Sequence, residues 1–178
     1  MIAFLDFEAS SLSKQSFPVE VGWIFEDGRT RSCLIRPAPD WTDWSTGAEA
    51  IHGISREQLE REGVPVEIVA RTMLETLSTH ELYATAPSWD GKWLSVLLRA
   101  GGLPRHALRL KKSDDAFLAA ARQILGNGYP QQQLAQLVMD VIDRTEPPSP
   151  SHRALPDATL ELVRLKLVRD MARERAGH

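Results

Sequence analysis

Met1-Ile-Ala-Phe-Leu-Asp6-Phe-Glu8-Ala-Ser-Ser-Leu12 sets a short apolar run ahead of two carboxylates. Such a run predicts a buried β-strand over residues 2–8. Side chains two apart on a strand point to the same side, so Asp6 and Glu8 project together with Phe7 opposite. Burying the pair is costly unless something compensates the charge, and their mutual repulsion raises both pKa values. A divalent cation such as Mg²⁺, a hard ion that takes carboxylate oxygens, is a natural neutraliser. The same triplet also fits a strand that ends at the solvent.

Working outward, Val19, Val21, Trp23 and Phe25 alternate with Glu20, Gly22, Ile24 and Glu26, and Asp27-Gly28 makes a hairpin turn. Thr30 to Arg36 returns as a third strand, closed by a loop over Pro37–Trp44. Three antiparallel strands are therefore expected before any helix. The period then changes. Ser55 with Gln58 forms a capping box for a short helix ending at Gly63, and a second helix covers 66–79. Leu82–Ala86 reads as a strand, and the segment around Trp93–Leu98 as a helix stopped by Gly101-Gly102. Another strand is expected at Leu108–Lys111, a helix from Asp114 to Gly126, and a buried helical stripe at Leu134, Leu137, Val138, Val141 and Ile142. A loop at 146–151 precedes a final helix starting near Pro156. The order βββ–α–β–α–β–α fits an α/β fold with a mixed sheet covered by helices.

Two further segments carry chemistry. Asp90, in Ala86-Pro-Ser-Trp-Asp-Gly-Lys-Trp93, falls where a strand turns into a helix. Aspartate is also a favoured helix N-cap whatever its function. In His152-Arg-Ala-Leu-Pro-Asp157, the proline starts a helix whose first turn holds Asp157, with His152 on the loop before it. That loop lets His152 fold back towards Asp157. A dipole-favoured aspartate beside a surface histidine is the plainer alternative.

Taken jointly, Asp6-x-Glu8, Asp90 and His152-x-Ala154-x-x-Asp157-Ala158 resemble the three-part signature of the DEDDh-type (DnaQ-like) 3′–5′ exonucleases. Ala50-Ile51-His52-Gly53-Ile54 resembles that family's His-Gly-Ile segment. The resemblance spans residue 1 to about 165. It implies a ribonuclease-H-like fold, with a five-stranded mixed sheet whose first three strands are antiparallel. It implies that Asp6, Glu8, Asp90 and Asp157 hold two Mg²⁺ or Mn²⁺ ions, with His152 as general base. By the same resemblance, Ala9, Ser10 and Leu12 lie against the 3′-terminal nucleotide and His52 beside its base or sugar. The implied reaction is removal of nucleoside 5′-monophosphates from 3′ ends of single-stranded DNA or RNA. Histidine, with an ordinary pKa near 6.5, suits the base role at neutral pH. The chain departs from the family at Ala9-Ser10-Ser11-Leu12, where Thr-Thr-Gly-Leu is common, and at Ala86, where an asparagine often stands. Those departures leave a binding or regulatory module without turnover as one alternative, and the lack of an extra substrate domain fits a second, a hydrolase of short oligoribonucleotides.

The remaining features set the setting. A chain of 178 residues, 43% hydrophobic, suits one domain over 1–178. Its net charge of −3 requires that attraction to a polyanion come from local clusters or bound cations. One cysteine, Cys33, forbids an internal disulfide, and no leader or membrane-length apolar run is visible. A soluble cytoplasmic protein is expected. Arg105, His106, Arg109, Lys111 and Lys112 form the densest basic stretch, Trp89 beside Asp90 is placed to stack a base, and Trp41 and Trp44 lie on a loop that could rim the site.

Overall fold

The computed structural model describes residues 1–149 and 151–177. Strand β1 (Ile2–Ala9) pairs antiparallel with β2 (Pro18–Phe25), which pairs antiparallel with β3 (Thr30–Arg36) across the Asp27-Gly28 turn. The chain then passes through α1 (Thr46–His52) and α2 (Arg56–Glu62) to β4 (Val64–Pro65), α3 (Val66–Leu77), β5 (Glu81–Ala84) and α4 (Pro87–Ala100). Strand β6 (Leu110–Lys112) and helices α5 (Ser113–Leu125), α6 (Gln131–Thr145) and α7 (Ala154–Ala176) complete it. The sheet order is β4-β3-β2-β1-β5-β6, with β5 parallel to β1 and β6 parallel to β5.

The expected topology is present, with corrections. The sheet has six strands rather than five, because Val64–Pro65 adds a two-residue parallel strand beyond β3. So short a segment carries no alternation from which a strand could be read. Helix α1 was not anticipated; Ser45 caps it by accepting from the Ala48 N–H at 3.3 Å. The capping serine at Ser55 is as expected, accepting from the Gln58 N–H at 3.1 Å, but the Gln58 side chain donates to Glu62 instead of closing the box. Helix α7 begins at Ala154 rather than Pro156. Proline is tolerated in a first turn because N–H groups there have no helical partner to lose. The loop expected over 146–151 is seen at its described residues; Pro150, like His178, lies outside them.

Helices cover both faces of the sheet, so β2 is buried along its whole length instead of alternating with solvent. On β1 the two faces separate two cores. Ala3, Leu5, Phe7 and Ala9 pack with Val66–Leu77 of α3 and Trp93–Leu98 of α4. Phe4, on the opposite face, packs with Phe117 of α5, Leu134 and Val138 of α6 and Leu162 of α7. Asp6 and Glu8 continue the Phe4 face to the end of the strand. There the register with β2 shifts between Glu8 and Ala9, a bulge that ends regular pairing.

Gly22 pairs with Asp6 across β1 and β2 and lets α7 approach. A Cβ there would lie 2.4 Å from the Leu155 nitrogen and 2.7 Å from the Ala154 carbonyl carbon. Gly22→Ala should therefore push the first turn of α7 off the sheet. The expected cost is about 1–3 kcal/mol, read as a lowered urea midpoint.

Candidate active site

The carboxylates gather at the carboxyl end of β1, approached from both sides of the sheet. Asp6 and Glu8 come from the strand itself, Asp157 from the first turn of α7, and Asp90 from the first turn of α4. Carboxylate oxygens of Asp6, Glu8 and Asp157 all lie within 4.8 Å of one another. Asp90 stands outside that group but is its neighbour, because its charge acts directly on Asp6. Asp90 is not the N-cap of α4; Ala86 occupies that position with no side-chain cap, and the Asp90 N–H donates to the Ala86 carbonyl at 3.0 Å. At 2% exposure Asp90 is the most buried of the four.

Such crowding leaves its mark on protonation. Burial, then the charges of Asp90, Glu8 and Asp157, hold the Asp6 carboxyl well above the usual carboxylate range. Burial, followed by Asp157 and Glu20, pushes Glu8 up to about 7, against a smaller pull from Arg153. Burial also lifts Asp90 to about 7, partly offset by backbone hydrogen bonds at Ala86 and Phe7. Among the described residues no salt bridge reaches any of these four carboxylates. Three clustered, oxygen-only, uncompensated acidic groups fit a hard divalent cation. Glu161, one turn beyond Asp157, is buried as well, but Arg164 engages it at 2.8 Å.

A second feature fixes α7 in place. Glu20, on β2 opposite Glu8, is buried and accepts from Arg153 Nε at 2.9 Å, Arg153 Nη2 at 2.6 Å and the Ala154 N–H at 3.0 Å. On the other side of His152, the Ser151 hydroxyl donates to Asp157 Oδ1 at 2.6 Å. His152 thus sits exposed at the apex of a loop anchored on both flanks, with a left-handed φ of 49°. Histidine tolerates that region better than most residues. Sequence reasoning missed Glu20, reading it as the polar side of an alternating strand. The signal available was a lone acid inside a fully apolar strand, which demands a partner. Glu20→Gln keeps the shape but halves the acceptor capacity; it should cost about 1–3 kcal/mol of stability in chemical denaturation.

The expected nucleotide-contacting residues divide. Leu12 is 72% exposed and Trp89 39%. Ser10 is fully buried: its hydroxyl accepts from the Phe17 N–H at 3.1 Å and donates to Asp43 at 3.3 Å, so its side chain holds the loop instead of facing outward. Asp43 also accepts from Ser11 and Ser13 and organises the whole turn after β1. Ala9 is buried in the core beneath the site. His52 is 5% exposed and accepts from the Ile54 N–H through Nδ1 at 3.0 Å; its charged form is disfavoured chiefly by burial. Trp41 stacks on Phe17 and Trp44 donates to Glu49, so both tryptophans are committed to packing the loop.

The basic stretch is divided between the loop after α4 and β6, where Lys111 and Lys112 stand two strands from β1. Helix α4 starts at the site and runs 14 residues, about 21 Å, before the loop that carries Arg105, His106 and Arg109. Lys111 pairs with Glu81 and Lys112 with Asp114. Among the described residues no helix is long and apolar enough to cross a membrane.

No protein-family model and no curated protein sequence matches the chain. Solved structures do match. Exonuclease I of E. coli in its zinc-bound complex with ssDNA superposes with a TM-score of 0.67 at 18% identity, over 96% of this chain and 40% of that one. Exonuclease I from Methylocaldum szegediense gives 0.67 at 16% identity, over 95% and 40%. E. coli exonuclease I with a dA16 oligonucleotide gives 0.66 at 15% identity, over 98% and 41%. The chain therefore has the α/β, ribonuclease-H-like fold seen in these enzymes, and spans about 40% of the length of the first of them.

Proposed function

We propose that the chain is a metal-dependent 3′–5′ exonuclease acting on single-stranded nucleic acid and releasing nucleoside 5′-monophosphates. The observation that carries the reading is the meeting of Asp6, Glu8 and Asp157 within 4.8 Å, with Asp90 brought in from the opposite face. The four residues come from all three parts of the sequence signature. The ssDNA complexes of the structural neighbours support a single-stranded substrate, at identities of 15–18%.

Asp6, Glu8, Asp90 and Asp157 would hold Mg²⁺ or Mn²⁺, with room in the ligand count for two ions. When bound, such ions neutralise the carboxylates, polarise the scissile phosphate and stabilise the leaving 3′-oxygen. The chain's own residues do the rest. Glu20 and Gly22 set the height of α7 above β2, and so aim Asp157 at Asp6 and Glu8. His152 takes the proton of the attacking water, from a loop tied down by Ser151 and Arg153. The turn after Ala9, held by Asp43, backs the terminal nucleotide, and exposed Leu12 faces it.

The test is a panel of 3′- and 5′-labelled DNA and RNA oligonucleotides incubated with Mg²⁺ or Mn²⁺, with and without chelator. Stepwise shortening from the 3′ end, abolished by chelator, is expected. Folded protein that shortens neither DNA nor RNA under any metal condition would refute the proposal.

A further inference from the structure

We infer that Arg164 is a positioning residue for His152, fastening the end of α6 from which the His152 loop departs. The inference rests on the exonuclease reading above. Arg164 stands about three turns into α7 and is 6% exposed. Burying a guanidinium is costly unless its N–H groups are met. Here Nη1 donates to Glu161 of the same helix at 2.8 Å. Nε donates to the Thr145 hydroxyl at 3.0 Å, and Nη2 to the Glu146 carboxylate at 2.6 Å. Thr145 is the last residue of α6 and Glu146 its C-cap. One buried cation therefore joins the end of α6 to the body of α7, and its charge suits the carbonyl end of α6.

That joint matters at the other end of the loop. From Ala154 to Arg164 helix α7 rises about 15 Å, a length the chain must largely retrace between Glu146 and the helix start. The seven residues that lead from Glu146 to Arg153 reach at most roughly 25 Å, so more than half of that reach is taken up. Pro147 and Pro148 stiffen the connection, each holding φ at about −65°. A stiff connection with little slack carries a shift of α6 to His152. The tie from Ser151 to Asp157 is a single exposed hydrogen bond, too weak to absorb such a shift. Arg153 on Glu20 fixes one end of the loop, and Arg164 on Thr145 and Glu146 fixes the other.

The experiment combines Thr145→Val with Glu146→Ala, which opens the joint and leaves the Arg164–Glu161 pair in place. Glu146→Ala alone, at a side chain 62% exposed, is the milder variant to read should the pair unfold the chain. On a single-stranded oligonucleotide in Mg²⁺, kcat should fall about tenfold in the double variant and about threefold in Glu146→Ala, with KM little changed. Glu146→Gln, which keeps an acceptor for Arg164, should retain the wild-type kcat. In a His152→Ala background the double change should alter kcat by less than about twofold, because the side chain it positions is gone. Backbone ¹⁵N order parameters of Ser151 and His152 should fall to about 0.6 or below in the double variant. Unchanged order parameters, or a kcat still at the wild-type level, overturn the inference and leave the exonuclease reading intact. An equal loss of kcat with and without His152 overturns it too, since the joint then acts through another group. A wild type without turnover removes both.

Discussion

Asp6→Asn is expected to abolish turnover and, in the same molecule, to stabilise the metal-free protein at neutral pH. Both results follow from one position. Asp6 faces three other carboxylates, and its carboxyl is held well above its ordinary range by burial and their charges. The folded metal-free state therefore binds a proton here more tightly than the unfolded chain does. Stability is greatest below the unfolded pKa near 4 and falls as pH rises above it, and Glu8 and Asp90, each pushed up to about 7, add to that fall. Removing one charge relieves a penalty on the order of a few kcal/mol at pH 7.5, and almost none at pH 4. A divalent ion relieves the same penalty in wild type. At a hundred times its Kd it adds about 2.7 kcal/mol, or roughly 5–10 °C in Tm for a chain of this size. Thermal melts with and without Mn²⁺ should show that gain in wild type at pH 7.5, a smaller one at pH 5, and little in Asp6→Asn. Activity of Asp6→Asn within tenfold of wild type, or an apo Asp6→Asn less stable than wild type at pH 7.5, contradicts this account.

The parts of the molecule legible in the sequence are those where chemistry and period coincide. Ile2–Glu8 announces both a strand and a carboxylate pair, and both are present. The hairpin turn at Asp27-Gly28 and the apolar stripe of α6 follow from local rules alone. Long-range effects were not legible. Nothing in Val19–Phe25 says that helices cover both faces of β2, so Glu20 reads as exposed when it is the buried acceptor that anchors α7. Gly22 looks like an alternation filler until Leu155 is seen against it. Pro156 was read by its effect on the residue before it, whereas docking on β2 sets the helix start at Ala154. Ser10 shows the same limit within the site, since its side chain is turned inward by a hydrogen bond to Asp43, 33 residues away.

His152→Ala should lower kcat by about 10²–10⁴-fold and leave metal-dependent stabilisation intact. The loop geometry is the reason. Ser151 and Arg153 are both tied down, to Asp157 and Glu20, yet among the described residues no hydrogen bond holds the His152 ring. A ring so carried is fixed in place but free in orientation, which suits the proposed role, because a base's hydrogen bond commonly forms only with substrate. Because the ring is exposed, its removal should cost little in contacts, and the left-handed φ of 49° should limit the total loss of stability to about 1 kcal/mol. His52 supplies the contrast. It is buried and accepts from the Ile54 N–H, so His52→Ala should chiefly destabilise, by about 1–3 kcal/mol. Steady-state rates in Mg²⁺ and urea unfolding of the two variants separate the roles. The base assignment fails if His152→Ala keeps kcat within threefold of wild type, or if its loss of activity is matched by loss of the Mn²⁺-induced rise in Tm. In the first case the water is activated without this side chain, and in the second His152 acts by shaping the carboxylate cluster through Asp157.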